Sequence, residues 1–422
     1  MKKTSPKLPL LFIGLVALSS CNKDFNSSSP SVETVQNSKF VHSGSPGEQL
    51  ISDQYIVTLT DEFASGLLAS VSGYDQRNEV LYAEIKSLLT KVGLEKMAIG
   101  GVYNTAMKGF SIQIPADKLG QLAALPQVKN IEQDEVVRIA GFPDKSTNEG
   151  SYKTQTVSYG CTRVGSGSGA GKRAWVLDTG IDLDHPDLNV NTSLSRSFTG
   201  LEGTGYFGTL PLLGSPSPSP DDQHGHGTHC AGIIAAKDNT IGNKGVAYGA
   251  EVVAVQVLLA NGSGSITTVL QGVDYVAAFG KAGEVANMSL AGGANSALDL
   301  AVQAAALGGV AFTLAAGNDN RHADNASPAR ANGTNLYTIS SIDSQNKLSG
   351  FSNYGNPPVD YAEPGSGIYS SYKNGGYATM SGTSMAAPHA AGIILLHNGG
   401  SPNNGGYALN DKDATPDIIG VK

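Results

Sequence analysis

Four polar residues stand where their neighbours suit them to chemistry: Asp178, His226, Asn318 and Ser384. Ser384 lies between the turn Gly382-Thr383 and a small-residue run, Met385-Ala386-Ala387-Pro388-His389-Ala390-Ala391-Gly392, that predicts a buried helix. A hydroxyl at a helix N-terminus sits among unpaired N–H groups and at the positive end of the dipole, where developing negative charge is stabilised. Pro388 falls in the early turns and leaves one carbonyl without its helical donor, a cost that packing alone would avoid. Taken by itself, the stretch also reads as a small-residue helix packed on a sheet.

Asp178 closes the apolar strand Arg173 to Asp178, and ligands of open parallel sheets bind beyond the carboxyl ends of strands. An aspartate capping a turn with Gly180 is the plainer alternative. Three histidines, His224, His226 and His229, crowd the stretch Asp222 to Cys230. Zinc ligation is the obvious rival there, but no His-Glu-x-x-His pair occurs and the glycines suit a sharp turn into a helix. His226 therefore reads as a general base heading that helix, with His229 packed one turn later. Asn318 follows the strand Val310 to Ala315, and serves either as a turn residue or as a donor to an oxyanion. Gly165 to Lys172 hints at a phosphate loop, yet Ser166 replaces the first glycine, Arg173 follows the lysine, and a strand comes after instead of before.

In chain order these residues run Asp178, His226, Asn318, Ser384, and Asp-His-Ser is one order in which nucleophilic triads occur. The motifs Asp178-Thr179-Gly180, His226-Gly227-Thr228-His229 and Gly382-Thr383-Ser384-Met385-Ala386 resemble those of the subtilisin-like serine proteases. Asn261-Gly262-Ser263-Gly264 and Phe351-Ser352-Asn353-Tyr354-Gly355 are most similar to the proteinase K branch, and the likeness runs from about Tyr159 to Ile394. The resemblance implies Ser384 as nucleophile, His226 as base, Asp178 as its orienting partner, and Asn318 as an oxyanion donor. It implies that Gly262, Ser263 and Gly264 on one side, and Ser289, Leu290, Ala291 and Gly292 on the other, pair with substrate backbone. Ala315, Ala316 and Gly317 would line the pocket before the scissile bond. No cofactor is implied for the chemistry. Structural calcium is common in the family, with Asp360 at one ligand position, although Arg330 to Asn335 departs by an insertion. The expected partners are protein and peptide substrates, and the expected state is a monomer. Two rivals stay open on the residues alone: a scaffold that binds without cutting, and metal-dependent hydrolysis through the histidines.

The elements that must position these residues form two lobes. Beyond Tyr159, continuous apolar strands alternate with helices at Ile266 to Phe279, Ser296 to Leu307 and Met385 to Leu396, which predicts an α/β fold: a parallel sheet in a three-layer, subtilisin-like catalytic domain. After Leu396 the sequence is Gly- and Asn-rich, so the closing helix usual in the family is expected to be short. Before it, Tyr55 to Ile131 reads β-α-β-β-α-β, a small α+β ferredoxin-like unit with helices at Asn78 to Val92 and Ala116 to Leu125. This unit is similar to the inhibitor-type propeptide of the same family. It would act as an intramolecular inhibitor and chaperone, removed by self-cleavage within Arg138 to Ser146.

Lys2, Lys3 and Lys7 precede the apolar run Leu8 to Leu18, which ends in Leu18-Ser19-Ser20-Cys21. A basic start, a short apolar core and small residues make an export signal, and the ending resembles a bacterial lipoprotein box with Cys21 as the lipidated residue. The resulting division is a lipoprotein signal over 1–20, a flexible tether over 21–50, the inhibitor-like domain over 51–140, a linker with the processing region over 141–158, and the peptidase domain over 159–422. The expected location is the envelope of a bacterial cell, with a membrane anchor before maturation; afterwards the catalytic domain is either released or held by the cleaved propeptide until that is degraded. Residues 199–222 are expected to form a surface loop. With a formal charge of −8 and no basic tract, nucleic acid is not an expected partner. Cys230, beside the histidines, is expected as a buried free thiol, although export would permit a disulfide with Cys161.

Overall fold

The computed structural model describes residues 39–41, 49–140, 142–143, 154–200 and 219–422. Cys21, most of the expected 199–222 loop and most of the 141–158 linker lie outside them. In the N-terminal lobe, β1 (Leu50–Leu59) leads through α1 (Asp61–Leu68) and α2 (Tyr74–Lys91) to β2 (Ala98–Tyr103) and β3 (Gly109–Gln113). A short α3 (Leu119–Ala123) then precedes β4 (Val128–Ile139). The strands form an antiparallel sheet in the order β4-β1-β3-β2, as the ferredoxin-like reading requires. Leu81, Ile85, Leu88 and Leu89 recur on one face of α2 and bury against this sheet. Two details differ from expectation. Ala116 to Leu125 is a 3₁₀ turn followed by the single α-turn of α3, and α1 is an additional helix whose buried face is only Ala64 and Leu68.

The C-terminal lobe is built on a sheet containing β5 (Arg173–Asp178), β6 (Glu251–Gln256), β8 (Val285–Met288), β10 (Ala311–Ala315), β11 (Leu336–Ile342), β12 (Val359–Pro364), β15 (Asn403–Tyr407) and β16 (Ile418–Val421). Its order is β6-β5-β8-β10-β11-β12-β16-β15, parallel except for the last pair. Where a short closing helix is expected, the described residues form this antiparallel hairpin instead. Two short strands, β7 (Ser263–Ser265) and β9 (Leu290–Ala291), lie outside the sheet. A further hairpin, β13 (Ile368–Tyr372) with β14 (Gly376–Ser381), precedes the last helix.

The pleat of β5 sorts its side chains between two cores. Trp175 and Leu177 join Val269, Val273, Leu298 and Val302 of α6 (Ile266–Phe279) and α7 (Ser296–Leu307). Ala174 and Val176 join Ile233, Ile234, Ala390 and Ile394 of α5 (His226–Ala235) and α8 (Thr383–Leu396). Each large aliphatic side chain among these contributes about 1.5–3 kcal/mol on burial, so both faces of the sheet are anchored by helices. Ser265 and Thr268 cap α6 reciprocally, and Asn295 caps α7 through the Leu298 N–H.

Carboxylates join the lobes at helix ends. Asp134 of β4 accepts the Thr267 N–H at 3.3 Å and its hydroxyl at 2.6 Å, at the first turn of α6. Glu132 accepts the Ser296 and Ala297 N–H groups, both at 3.0 Å, at the start of α7. Each negative charge therefore meets the positive end of a helix. In return Asp274 of α6 accepts the N–H groups of Asn104, Thr105 and Ala106 at 2.7–2.9 Å. Burial pushes both Asp134 and Asp274 up to about 6, against the hydrogen bonds that favour their charged forms. Asp274→Ala would strand three N–H donors between the lobes and is expected to weaken their contact by about 1–3 kcal/mol. Asp274→Asn, which keeps an acceptor, should lose less; the denaturant midpoint for separation of the lobes measures both.

Candidate active site

Asp178 ends β5 and His226 opens α5, and the two meet at 2.8 Å between Asp178 Oδ1 and His226 Nδ1, fully buried. The carboxylate can only accept, so the proton of this imidazole sits on Nδ1. Asp178 Oδ1 also accepts the Thr179 N–H at 2.7 Å, which fixes the carboxylate. His226 Nε2 is buried and has no hydrogen-bond partner among the described residues.

The turn carrying His226 is shaped by Asp222, a residue to which sequence reasoning gave no role. Its Oδ1 accepts the N–H groups of His224 and Gly225 and the Thr179 hydroxyl, at 2.8–2.9 Å. Its Oδ2 accepts both the N–H and the hydroxyl of Thr228, at 3.0 and 2.7 Å. One buried carboxylate thus holds the start of α5 to the residue following Asp178. An aspartate a few residues ahead of a helix is the signal that could have found it. The three histidines do not converge as a metal site would require. The His224 and His226 ring centres lie 6.3 Å apart, and His229 Nε2 faces the carbonyls of Ile368 and Ala378 at 3.0–3.1 Å. Burial pushes His229 down to about 3, so it stays neutral and structural.

Ser384 lies at the N-terminus of α8, as expected, where it is the second residue, and it is wholly buried. Pro388 frees the Ser384 carbonyl from the helix, and that carbonyl accepts the Ser289 hydroxyl at 2.9 Å and the Cys230 thiol at 3.4 Å. The helix break is thereby satisfied by two residues of the neighbouring elements. Ser384 Oγ donates to the Ser289 carbonyl at 3.0 Å, so its hydroxyl is turned away from His226 in this state. Cys161 and Cys230 are both free and buried.

Asn318 follows β10 and its amide is oriented by Thr383. Asn318 Oδ1 accepts the Thr383 N–H at 2.9 Å and its hydroxyl at 3.0 Å, which leaves Nδ2 pointing outward as a donor. That donor meets the carbonyl of Ala140, and the Ser384 N–H reaches the same oxygen at 3.0 Å.

The strand leading to Ala140 is held on both sides. β4 pairs antiparallel with β7, placing Arg138 opposite Ser263 and Val137 opposite Gly264, and with β9, placing Ile139 opposite Leu290 and Arg138 opposite Ala291. The Ile139 N–H donates to the Gly262 carbonyl at 3.0 Å, and the Ala140 N–H to the Ser289 carbonyl at 3.1 Å. Gly292 follows β9 and donates its N–H to the Ser327 carbonyl at 2.9 Å. Ala315, the last residue of β10, and Ala316 and Gly317, which lead on to Asn318, are buried.

Asp360 stands apart from these residues. Its carboxylate accepts the Thr338 N–H at 2.9 Å, and it joins no cluster of three or more acidic, histidine or cysteine ligand atoms among the described residues. The glycine-rich stretch Gly165 to Lys172 runs into β5 with no helix after it, so its resemblance to a phosphate loop ends there.

Comparison with known proteins places the chain in a family. The model of the subtilase family matches residues 175–411, which span Asp178, His226, Asn318 and Ser384. The chain belongs to the subtilase family. A model of the peptidase inhibitor I9 family matches residues 54–140 and ends at Ala140. An extracellular serine proteinase of Thermus sp. (strain Rt41A) is 34% identical over 92% of this chain and 88% of its own length. Subtilisin-like protease 2 of Pseudogymnoascus destructans is 35% identical, over 90% and 87%. The crystal structure of a cold adapted subtilisin-like serine proteinase is 37% identical, covers 60% of this chain and 90% of its own, and superposes with a TM-score of 0.50. This subtilase is thus a serine-type peptidase of subtilisin-like fold, preceded by an inhibitor-type propeptide, and subtilases need no cofactor for catalysis.

The subtilase's helix α5 approaches β5 so closely that only glycine fits at one point. A Cβ on Gly227 would stand 2.1 Å from the Gly180 carbonyl oxygen and 3.1 Å from Asp178 Cβ. Gly227→Ala is therefore expected to push His226 from Asp178 and to lower kcat/KM on a peptide substrate by about 100-fold or more, since displacements of about 1 Å carry losses of that size. Steady-state kinetics, with circular dichroism to show that the fold persists, checks this.

Proposed function

We propose that this subtilase is a self-processing serine endopeptidase of broad preference, acting through Asp178, His226 and Ser384, with Asn318 and the Ser384 N–H as its oxyanion site. One observation carries the reading: the Ala140 carbonyl lies between those two donors, at the end of a strand paired on both sides like a bound peptide. A substrate's residue before the scissile bond would take Ala140's place.

In the reaction, rotation about χ1 carries Ser384 Oγ from the Ser289 carbonyl toward His226 Nε2, which has no hydrogen-bond partner among the described residues. Oγ attacks the carbonyl carbon as Nε2 takes its proton, and Asp178 holds the tautomer and stabilises the imidazolium. Asn318 Nδ2 and the Ser384 N–H receive the charge that develops on oxygen. The peptide bond breaks as His226 returns the proton to the leaving amine. Water then enters by the same route in reverse and frees the acyl product from Ser384.

Gly262, Ser263 and Gly264 on one side, and Ser289, Leu290, Ala291 and Gly292 on the other, bind peptide backbone, which is blind to side-chain identity. Ala315, Ala316 and Gly317 form the wall of the pocket before the scissile bond. Their small size leaves the pocket room, which supports a broad preference. Asp360 is where the family resemblance puts a structural calcium ligand, and no step of the chemistry runs through it.

The first bond cut would be the one following Ala140, inside the Arg138 to Ser146 stretch. The residues up to Ala140 would then remain as an inhibitor of a monomeric enzyme. If Cys21 carries the lipid of an exported bacterial lipoprotein, the anchor lies on the inhibitor's side of the cut. Maturation would therefore part the catalytic domain from its membrane.

Intact mass of the expressed chain tests this. The wild type is expected to yield a fragment beginning at Gly141 and without lipid, whereas Ser384→Ala stays whole. An unprocessed chain in both would overturn the self-processing reading. On a peptide substrate, Asn318→Ala is expected to lower kcat by about 10²–10³, the loss found when subtilisin is deprived of its own asparagine donor.

A further inference from the structure

The loop between β15 and β16, Asp411-Lys412-Asp413-Ala414-Thr415-Pro416-Asp417, brings three carboxylates together. One oxygen from each of Asp411, Asp413 and Asp417 lies within 4.8 Å of the others. Asp417 is only 1% exposed, and its Oδ2 accepts the Ser340 hydroxyl of β11 at 2.5 Å. Its other oxygen, Oδ1, is buried and lacks a close hydrogen bond among the described residues, the neighbouring Asn356 amide donating to the Thr415 carbonyl at 2.9 Å. An ionised carboxylate left in that condition is costly unless a cation or a proton meets it.

The neighbouring cation does not meet it. Lys412 Nζ turns outward to Asn320 Oδ1 and lies 4.8 Å from the centre of the Tyr354 ring. None of the three carboxylates forms an ion pair among the described residues. The loop is nevertheless held in shape. Asp411 accepts the N–H groups of Asp413 and Asp417, at 3.2 and 2.7 Å, and Asp413 accepts the Gly355 N–H at 2.8 Å. The donor set is oxygen only, which suits a hard cation of flexible coordination such as Ca²⁺ and disfavours the nitrogen- and sulfur-seeking metals.

We propose that Asp411, Asp413 and Asp417 form a binding site for a divalent cation of the calcium class. It fastens the start of β16 to β11 and to the loop at Gly355. That loop bears on the active site. Asn353, two residues before Gly355, accepts the N–H groups of Asp319 and Arg321 at 3.0 and 3.1 Å and donates to the Ala316 carbonyl at 2.8 Å. The segment on either side of Asn318 is thereby tied to the loop that Asp413 holds. The site is separate from Asp360 and does not depend on the reading of the catalytic residues.

The test uses the full chain carrying Ser384→Ala, so that self-digestion cannot intervene, stripped with EGTA and titrated with Ca²⁺ alone. Bound calcium is counted by isothermal titration and elemental analysis. Calcium is expected to raise the melting temperature by about 5–10 °C when it stands about a hundredfold above its Kd. Adding Asp413→Asn, which keeps an acceptor for the Gly355 N–H, should remove one bound calcium per chain together with that rise. In EGTA the same variant should melt at or above its parent, because it relieves repulsion among the three acids. Asp417→Asn, which keeps the Ser340 contact, is the second variant and should lose the same calcium. Equal calcium counts and equal shifts in parent and variants would overturn the proposal. So would a parent that binds no calcium, the acids then being held by protons.

Discussion

A single carbonyl oxygen, that of Ala140, is the point on which the two lobes are registered. Asn318 can reach it only because Thr383 occupies the other end of its amide. The Ser384 N–H can reach it only because α8 begins where it does, with its first turn unpaired along the helix axis. Behind these donors stand the ends of β5 and β10 and the helices α5 and α8, all held by the two cores of one parallel sheet. The burial that secures those helices, many side chains at about 1.5–3 kcal/mol each, is what keeps a few hydrogen bonds at working distances.

The compensations around Ser384 follow the same logic. A proline inside α8 would ordinarily leave an unpaired carbonyl, but Ser289 and Cys230 supply donors to it. The irregularity therefore ties the Ser384 backbone to the residue preceding β9 and to α5. Asp222 does similar work for the histidine, since one carboxylate collects donors from both sides of the Asp178–His226 pair.

Much of this was legible in the sequence where one residue type has few uses. The strand before Asp178, the helices α6 and α7, and the places of His226, Asn318 and Ser384 could be read from periodicity and short motifs. The strands β11 and β12 could not. Ser340, Ser341, Asp360 and Glu363 interrupt their apolar pattern, and the partners that make such residues tolerable, such as Asp417 for Ser340, come from distant parts of the chain. Thr383 was hidden for a related reason. Its importance lies in its hydrogen bonds to Asn318, and no local pattern announces a contact across dozens of residues. The hydroxyl of Ser384, resting on the Ser289 carbonyl, is likewise a matter of rotamer and of an occupied cleft.

Strand β4 belongs to two sheets, pairing with β1 in its first half and with β7 and β9 at its end. A cut after Ala140 would remove one covalent link and leave every one of those hydrogen bonds in place. The first product would also be the best-fitted occupant of the cleft, so the enzyme would complete one turnover and then wait. The length of that wait would be set by how slowly a strand can unzip from both neighbours while the caps at α6 and α7 let go. In that sense the shared strand would be a clock, timing the interval between making the catalyst and having one.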